Sequence, residues 1–308
     1  MPNLDIVIVN WNSGRFIGEC LNSIKNSNHE NINKIIIIDN ASKDNSLVDL
    51  PIFNKVEIHK NKINEGFAKA CNLGSRYTKS EYILFLNPDT RVFKDTISDA
   101  LEAIEKKPEV GILGVSLVDE SNNIVKTCSR FLTPLRVFFH SVGLTKVFKS
   151  TGMAMLDWDH KTSIEVDQVM GAFFLTRREL FNQLEGFDET FFVYYEEMDF
   201  SLRASLRGYR SYYETSIAAY HYGGGTTENV VSQRLFYSLR SRIIYSFKHF
   251  KFFSCTQSVF STLTLEMISR VLILPIIKLS PMEFVNSLKA YLRLYLWFIG
   301  YIFKRIMF

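Results

Sequence analysis

Asp89 sits in the segment LFLNPDT. A carboxylate at the end of so apolar a run can hold a divalent cation that bridges two phosphates, because hard cations prefer oxygen ligands. The same residues also make an ordinary Pro-Asp turn. Glu196, Glu197 and Asp199 place three carboxylates within four residues. Crowded carboxylates repel, one of them binds its proton more tightly, and that group can serve as a general base near neutral pH. On a helix residues 196 and 199 share a face while 197 points elsewhere, so their roles can separate. A simple preference for acid in a first helical turn would give the same cluster. His221 is followed by Tyr222 and then Gly223, Gly224 and Gly225. An imidazole beside a glycine loop suits a metal ligand or a phosphate contact; a packed histidine is the plainer alternative. Asp39, at the end of KIIIIDN, can accept from the imino N–H of a pyrimidine or cap the next helix.

These residues need a scaffold. Short apolar runs at 5–9, 35–38, 56–58, 82–86 and 110–115 predict strands buried on both faces. Helix-like stretches at 15–26, 66–78 and 94–106 alternate with them, which predicts an α/β fold with a parallel sheet covered on both faces. Ligands of such sheets sit beyond the carboxyl ends of the strands. There the chain places Asn10, Trp11 and Asn12; Asp39, Asn40 and Ser42; Asn64, Glu65 and Gly66; and Asn87, Pro88 and Asp89. One such cluster is turn chemistry, but four at one sheet edge point to a site. Residues 129–165 show no clear strand pattern and read as a long excursion that grips substrate. Order returns at 168–176 and 177–184, followed by a helix over 196–206. A strand pair at 209–214 and 217–221 and a basic, aromatic helix over 231–250 come next.

The chain has 308 residues, 47% hydrophobic and 22% charged, which excludes disorder. Cys20, Cys71, Cys128 and Cys255 lie far apart, which argues against a disulfide framework or a zinc site and fits a reducing compartment. The opening MPNLDIVIVNWNS has no basic stretch ahead of its apolar run and reads as a strand rather than a signal peptide. The net charge of +4 is unevenly shared: residues 231–308 carry eleven Lys and Arg against two Glu, leaving the rest at −5. A basic, apolar segment points to an anionic membrane surface and not to nucleic acid. Its uncharged windows, 252–265, 271–277 and 294–303, fall short of the roughly 20 apolar residues of a spanning helix. The tail is therefore expected to lie on a membrane; packing as a helical subdomain, or against a second subunit in an oligomer, is the alternative.

The ordered motifs VIVNWN, IIIIDNASKDNS, NEGFAKACNLG, LFLNPDT and GAFFLTRRELFNQLEGFDETFFVYYEEMDF, with the later His221, resemble glycosyltransferase family 2 of the GT-A fold. The similarity spans about residues 4–250 and is strongest to the bacterial rhamnosyltransferase-like branch. It implies a GT-A domain over 1–250, with a nucleotide-binding half at 1–115 and an acceptor and catalytic half at 116–250. Residues 251–308 are then a membrane-associating helical tail. The resemblance further implies that Asp39 reads a uracil or thymine base and that Asn64, Gly66, Asn87 and Arg240 contact the nucleotide sugar. Asp89 and His221 would hold Mg²⁺ or Mn²⁺, and Glu197 would be the base, with Glu196 able to share the role. Asn87 stands where the family's metal motif has its first Asp, and Glu197 where the family's base is usually Asp. The activity implied is inverting sugar transfer from a nucleotide-diphosphate donor, dTDP-rhamnose or next a UDP-hexose. The acceptor implied is an undecaprenyl-diphosphate-linked glycan on the cytoplasmic face of the membrane. Two other readings are a catalytically inactive homologue that binds a nucleotide sugar or an assembly partner, and a sugar nucleotidyltransferase. The second is disfavoured because Asn-Trp-Asn-Ser, not a glycine-rich basic loop, follows the first strand.

Overall fold

The computed structural model describes residues 3–223, 230–273 and 280–307. In chain order the elements are β1 (Leu4–Asn10), α1 (Phe16–Lys25), β2 (Ile32–Asp39), β3 (Val56–Lys60), α2 (Phe67–Ser75), β4 (Tyr82–Leu86) and β5 (Thr90–Val92). Next come α3 (Thr96–Glu105), β6 (Val110–Val118), α4 (Pro134–Ser141), β7 (Ile164–Val166), β8 (Phe173–Arg177), α5 (Arg178–Gln183), α6 (Glu196–Ser205) and β9 (Arg210–His221). The chain closes with α7 (Val231–His249), α8 (Phe252–Phe260), π-helical turns at Ser261–Leu265 and Ile268–Ile273, and α9 (Pro281–Met307).

Two compact units form. The first comprises Met1–Phe131, Trp158–Phe192 and Glu196–Thr226; the second comprises Leu132–Asp157, Val193–Tyr195 and Thr227–Phe308. A boundary after residue 250 does not describe this division. Leu239 and Ile243 of α7 are buried in one cluster with Val271, Tyr291 and Leu294, so α7 belongs with the tail helices.

The first unit is built on a sheet of order β3-β2-β1-β4-β8-β6-β9-β5, with β7 on β9. Strands β3, β2, β1 and β4 run parallel, as predicted, but β3 is an edge strand with no buried residue, so the run at 56–58 is not covered on both faces as expected. All residues of β1, β4 and β6 are buried, which explains why those strands read as unbroken apolar stretches. The sheet as a whole is mixed. β8 enters antiparallel between β4 and β6, and β5 pairs antiparallel with β9. Ile17, Cys20, Leu21 and Ile24 recur at helical spacing on α1 and join the sheet residues Ile6, Ile8, Ile35 and Leu84 in one core. Each fully buried Ile or Leu there stabilises the fold by about 1.5–3 kcal/mol.

The expected strand pair at 209–221 is a single strand. Val115 of β6 pairs with Glu214 and the next residue, Ser116, with Ala218, so Thr215, Ser216 and Ile217 bulge out of register. The expected excursion at 129–165 contains a helix that the mixed composition hid. Thr133 caps α4 by accepting from the Arg136 N–H, and Pro134 occupies its first turn. Of the predicted glycine loop, Gly224 and Gly225 lie outside the described residues, as does part of the 271–277 window.

In the second unit, among the described residues, no helix is long and apolar enough to cross a membrane. On α9, Val285, Leu288, Leu292, Leu296, Ile299 and Phe303 are all exposed. Their spacing of three or four puts them on one helical face, and the exposed Lys289, Arg293 and Lys304 flank it.

Candidate active site

The carboxyl ends of the first unit's strands are tied together by short polar side chains. Asn10 ends β1 opposite Asp39, the last residue of β2. The Asn10 amide donates to Asp39 Oδ1 at 2.9 Å and reaches Ser42 and Ser46 Oγ at 3.0 and 2.9 Å. Asp39 is therefore buried with its carboxylate plane fixed. Asn40 extends the network by donating to Asn64 Oδ1 at 2.8 Å and to the Gly66 carbonyl at 3.1 Å. Its own Oδ1 accepts from the Glu65 N–H and the Asn61 amide.

Gly66 sits at φ +91°, and a Cβ there would stand 2.4 Å from the Phe192 carbonyl oxygen. Only glycine fits a left-handed position against another backbone. That same carbonyl accepts from the Phe67 N–H at 2.6 Å, so the first turn of α2 is stitched to the segment leading toward Glu196.

Asp89 and His221 meet across the β5–β9 ladder, where Thr90 pairs with His221 and the Tyr222 N–H donates to the Asp89 carbonyl. The Asp89 Oδ1 to His221 Nε2 distance is 3.3 Å, and the two side chains are only 7% and 9% exposed. An oxygen and an imidazole nitrogen so spaced suit two adjacent ligands of one cation. Among the described residues no cluster of three ligating side chains occurs. Mg²⁺ sites in general use one or two protein groups and take further oxygens from substrate phosphates. Beneath them, Cys20 lies 3.9 Å from the Asn87 carbonyl. Burial and then the Asp89 charge push its thiol far above the ordinary value, so it is an inert wall.

Gly171 and Ala172 link this corner to the acids of α6. The Ala172 carbonyl accepts from the Asn87 N–H at 3.1 Å, and the Gly171 N–H donates to the Glu197 carboxylate. A Cβ on Gly171 would come within 3.2 Å of Glu197 Oε1. Burial raises the Glu197 carboxyl above its ordinary 4.5, opposed by its own N–H and that of Gly171. Its Oε2 is buried with no hydrogen-bond partner among the described residues. The Glu196 side chain is withdrawn from solvent in the same way, while Asp199 is held by a cation. Its partner Arg203, at 2.7 Å, also donates to the Leu184 and Gly186 carbonyls. The α2 residue Cys71 lies near both glutamates: burial and then their charges push its thiol well above the ordinary range.

The structure thus gathers Asp39, Asn64, Gly66, Asn87, Asp89, Glu196, Glu197 and His221 in the first unit. Arg240 belongs to the second, where its guanidinium lies over the Trp297 ring at 5.5 Å and burial lowers its basicity. Sequence reasoning assigned no role to Gly171, Ala172 or the hub amides Asn10 and Asn40. The signal for Gly171 was a lone glycine ahead of a strand run, in VMGAFFL.

The sequence profile of glycosyl transferase family 2 matches residues 5–185, more than half of the chain. Rhamnosyltransferase WbbL of Escherichia coli is 28% identical over 58% of this chain and 69% of its own length. The N-acetylglucosaminyl-diphospho-decaprenol L-rhamnosyltransferase of Mycobacterium tuberculosis is 22% identical over 73% of this chain and 77% of its own. Among solved structures, the mannosyltransferase PcManGT from Pyrobaculum calidifontis, in complex with GDP-Man and Mn²⁺, has a TM-score of 0.58 at 14% identity. That match covers 96% of this chain and 87% of that one, and it shows the fold to be GT-A. The chain belongs to glycosyl transferase family 2.

Proposed function

We propose that this protein is an inverting glycosyltransferase that moves a sugar from a nucleotide-diphosphate donor to a lipid-linked glycan. The observation that carries the reading is Glu197: one oxygen anchored by Gly171, the other buried without a protein partner, and the group's proton affinity raised by burial. Such a carboxylate is aimed and basic. Its Oε2 takes the proton of an acceptor hydroxyl as that oxygen bonds to the anomeric carbon, and the bond from this carbon to the nucleotide diphosphate breaks. A positioned base of this kind contributes about 10²–10⁴-fold. Glu196 supports it from the same helical turn.

Asp39 accepts from the imino N–H of a uracil or thymine, while Asn64, Gly66 and Asn87 border the nucleotide sugar. Asp89 and His221 hold the divalent cation, Mg²⁺ or Mn²⁺, which when bound supplies counter-charge to the diphosphate. The preferred donor is dTDP-rhamnose, in keeping with two relatives named as rhamnosyltransferases, and a UDP-hexose is second. The acceptor is an undecaprenyl-diphosphate glycan of a cell-surface polysaccharide, reached from the cytoplasmic face. The apolar stripe of α9 with its Lys and Arg flank, within a segment of charge +9, suits a helix lying on anionic lipid.

Nucleotide release from a panel of dTDP- and UDP-sugars, with a membrane extract as acceptor, tests this. Release from one donor that needs the extract and stops with EDTA is expected. Asn87, in place of an Asp, favours a second reading in which the protein binds a nucleotide sugar without turning it over. Calorimetric binding of dTDP or UDP with no release from any donor would select that reading.

A further inference from the structure

A groove of about 490 Å³ opens within the second unit, between the end of α7, α8, the following π-turn and α9. Phe247, Phe250, Phe252, Val259, Leu263 and Phe298 line it, and its volume is that of a small-molecule site. The outer wall is unusual for a protein surface: Phe252 is 77% exposed and the adjoining Phe253 85%. Its rim is cationic. Lys248 and Lys251 are both exposed beside the lining phenylalanines, and the chain from Val231 to Leu265 contains no Asp or Glu. An aromatic trough with lysines at its mouth is complementary to one chemistry, a flexible hydrocarbon chain that ends in phosphate.

We infer that this groove seats part of an isoprenoid chain, that of the lipid-linked acceptor, with the attached phosphates against Lys251 and Lys248. The inference rests on the acceptor class proposed above. It adds a second recognition element, separate in sequence from the first unit's strand ends, that reads the acceptor's lipid.

The test uses the full-length protein and farnesyl diphosphate carrying a photoreactive diazirine, with mapping of the labelled peptides. Labelling confined to residues 247–264 and the neighbourhood of Phe298 is expected. Thr256→Trp, at an exposed lining position, should fill the trough and weaken binding by at least about tenfold, since several methylene groups lose their apolar contact. Lys251→Glu should weaken farnesyl diphosphate but leave farnesol unaffected. Both variants should keep the wild-type circular dichroism and bind dTDP or UDP as wild type does. Label outside the groove, or a Thr256→Trp protein that binds farnesyl diphosphate within twofold of wild type, would overturn the inference. So would a dimer in sedimentation that Thr256→Trp dissociates while lipid binding persists, because a second copy would then be the occupant. Groove labelling in a protein that transfers nothing to lipid-linked glycans would keep the groove and remove the acceptor reading. Full-rate transfer to such an acceptor by Thr256→Trp would do the reverse.

Discussion

Two glutamates with carboxylate oxygens withdrawn from solvent, one in each unit, are treated in opposite ways. Glu266, in the second unit, contacts the Arg242 guanidinium, Arg270 Nε at 2.7 Å and His140 Nε2 at 3.4 Å. Burial alone would raise its carboxyl; Arg242, with His140 and Arg270, holds it well below the usual range. Glu197, in the first unit, receives two backbone N–H groups and no cation, and burial prevails. Burial therefore does not decide what a buried carboxylate is for; its partners do. Two guanidinium groups and an imidazole make Glu266 a fastener. Glu197 keeps an oxygen that no protein group among the described residues satisfies.

The contrast is sharpest in Glu197→Gln. Transfer should fall by about 10²–10⁴-fold while nucleotide affinity holds, as read by single-turnover kinetics beside calorimetry. If Glu196→Gln were the silent enzyme and Glu197→Gln the active one, the base would be its neighbour. The matching change in the second unit, Glu266→Gln, should act on folding instead. It strands the buried Arg242 charge, and a loss of about 3–5 kcal/mol in denaturant unfolding is expected. Gly66→Ala should cost about 1–3 kcal/mol from its left-handed backbone and the Phe192 contact, with nucleotide affinity reduced as well.

The smallest effect is in pH dependence, where the two groups pull in opposite directions. Glu197 has a raised value in the fold, so its contribution to stability is complete below 4.5 and is lost as pH rises through the folded value. Glu266 has a depressed one, so its contribution is present above 4.5 and is lost as pH falls through the folded value. The melting temperature of Glu197→Gln should accordingly gain on wild type as pH rises above 4.5. The acidic limb of kcat/KM should lie above that of an ordinary glutamate.

How much of this was legible follows from where the information resides. β1, β2 and β4 are readable because burial on both faces demands unbroken Ile, Val, Leu and Phe. The polar clusters after them are readable because strand ends in such sheets face ligands. Asp199 could have been set aside from spacing alone, since Arg203 stands four residues on along a helix. The direction of β8 was not legible: a short apolar run looks the same parallel or antiparallel. Nor was the Gly171 link to Glu197, which is a backbone amide meeting a side chain with nothing local to announce it.

The placement of β8 also governs how the protein comes off the ribosome. β1 to β4 can pair as soon as they are made, yet the apolar edge of β4 waits for Phe173–Arg177, and Asp89 waits for His221. Until then the nascent chain carries an open, fully buried-type strand edge of the kind that recruits other chains. Slow synthesis through the stretch between β6 and β8, or a chain cut within it, should therefore produce aggregates and not a smaller working enzyme.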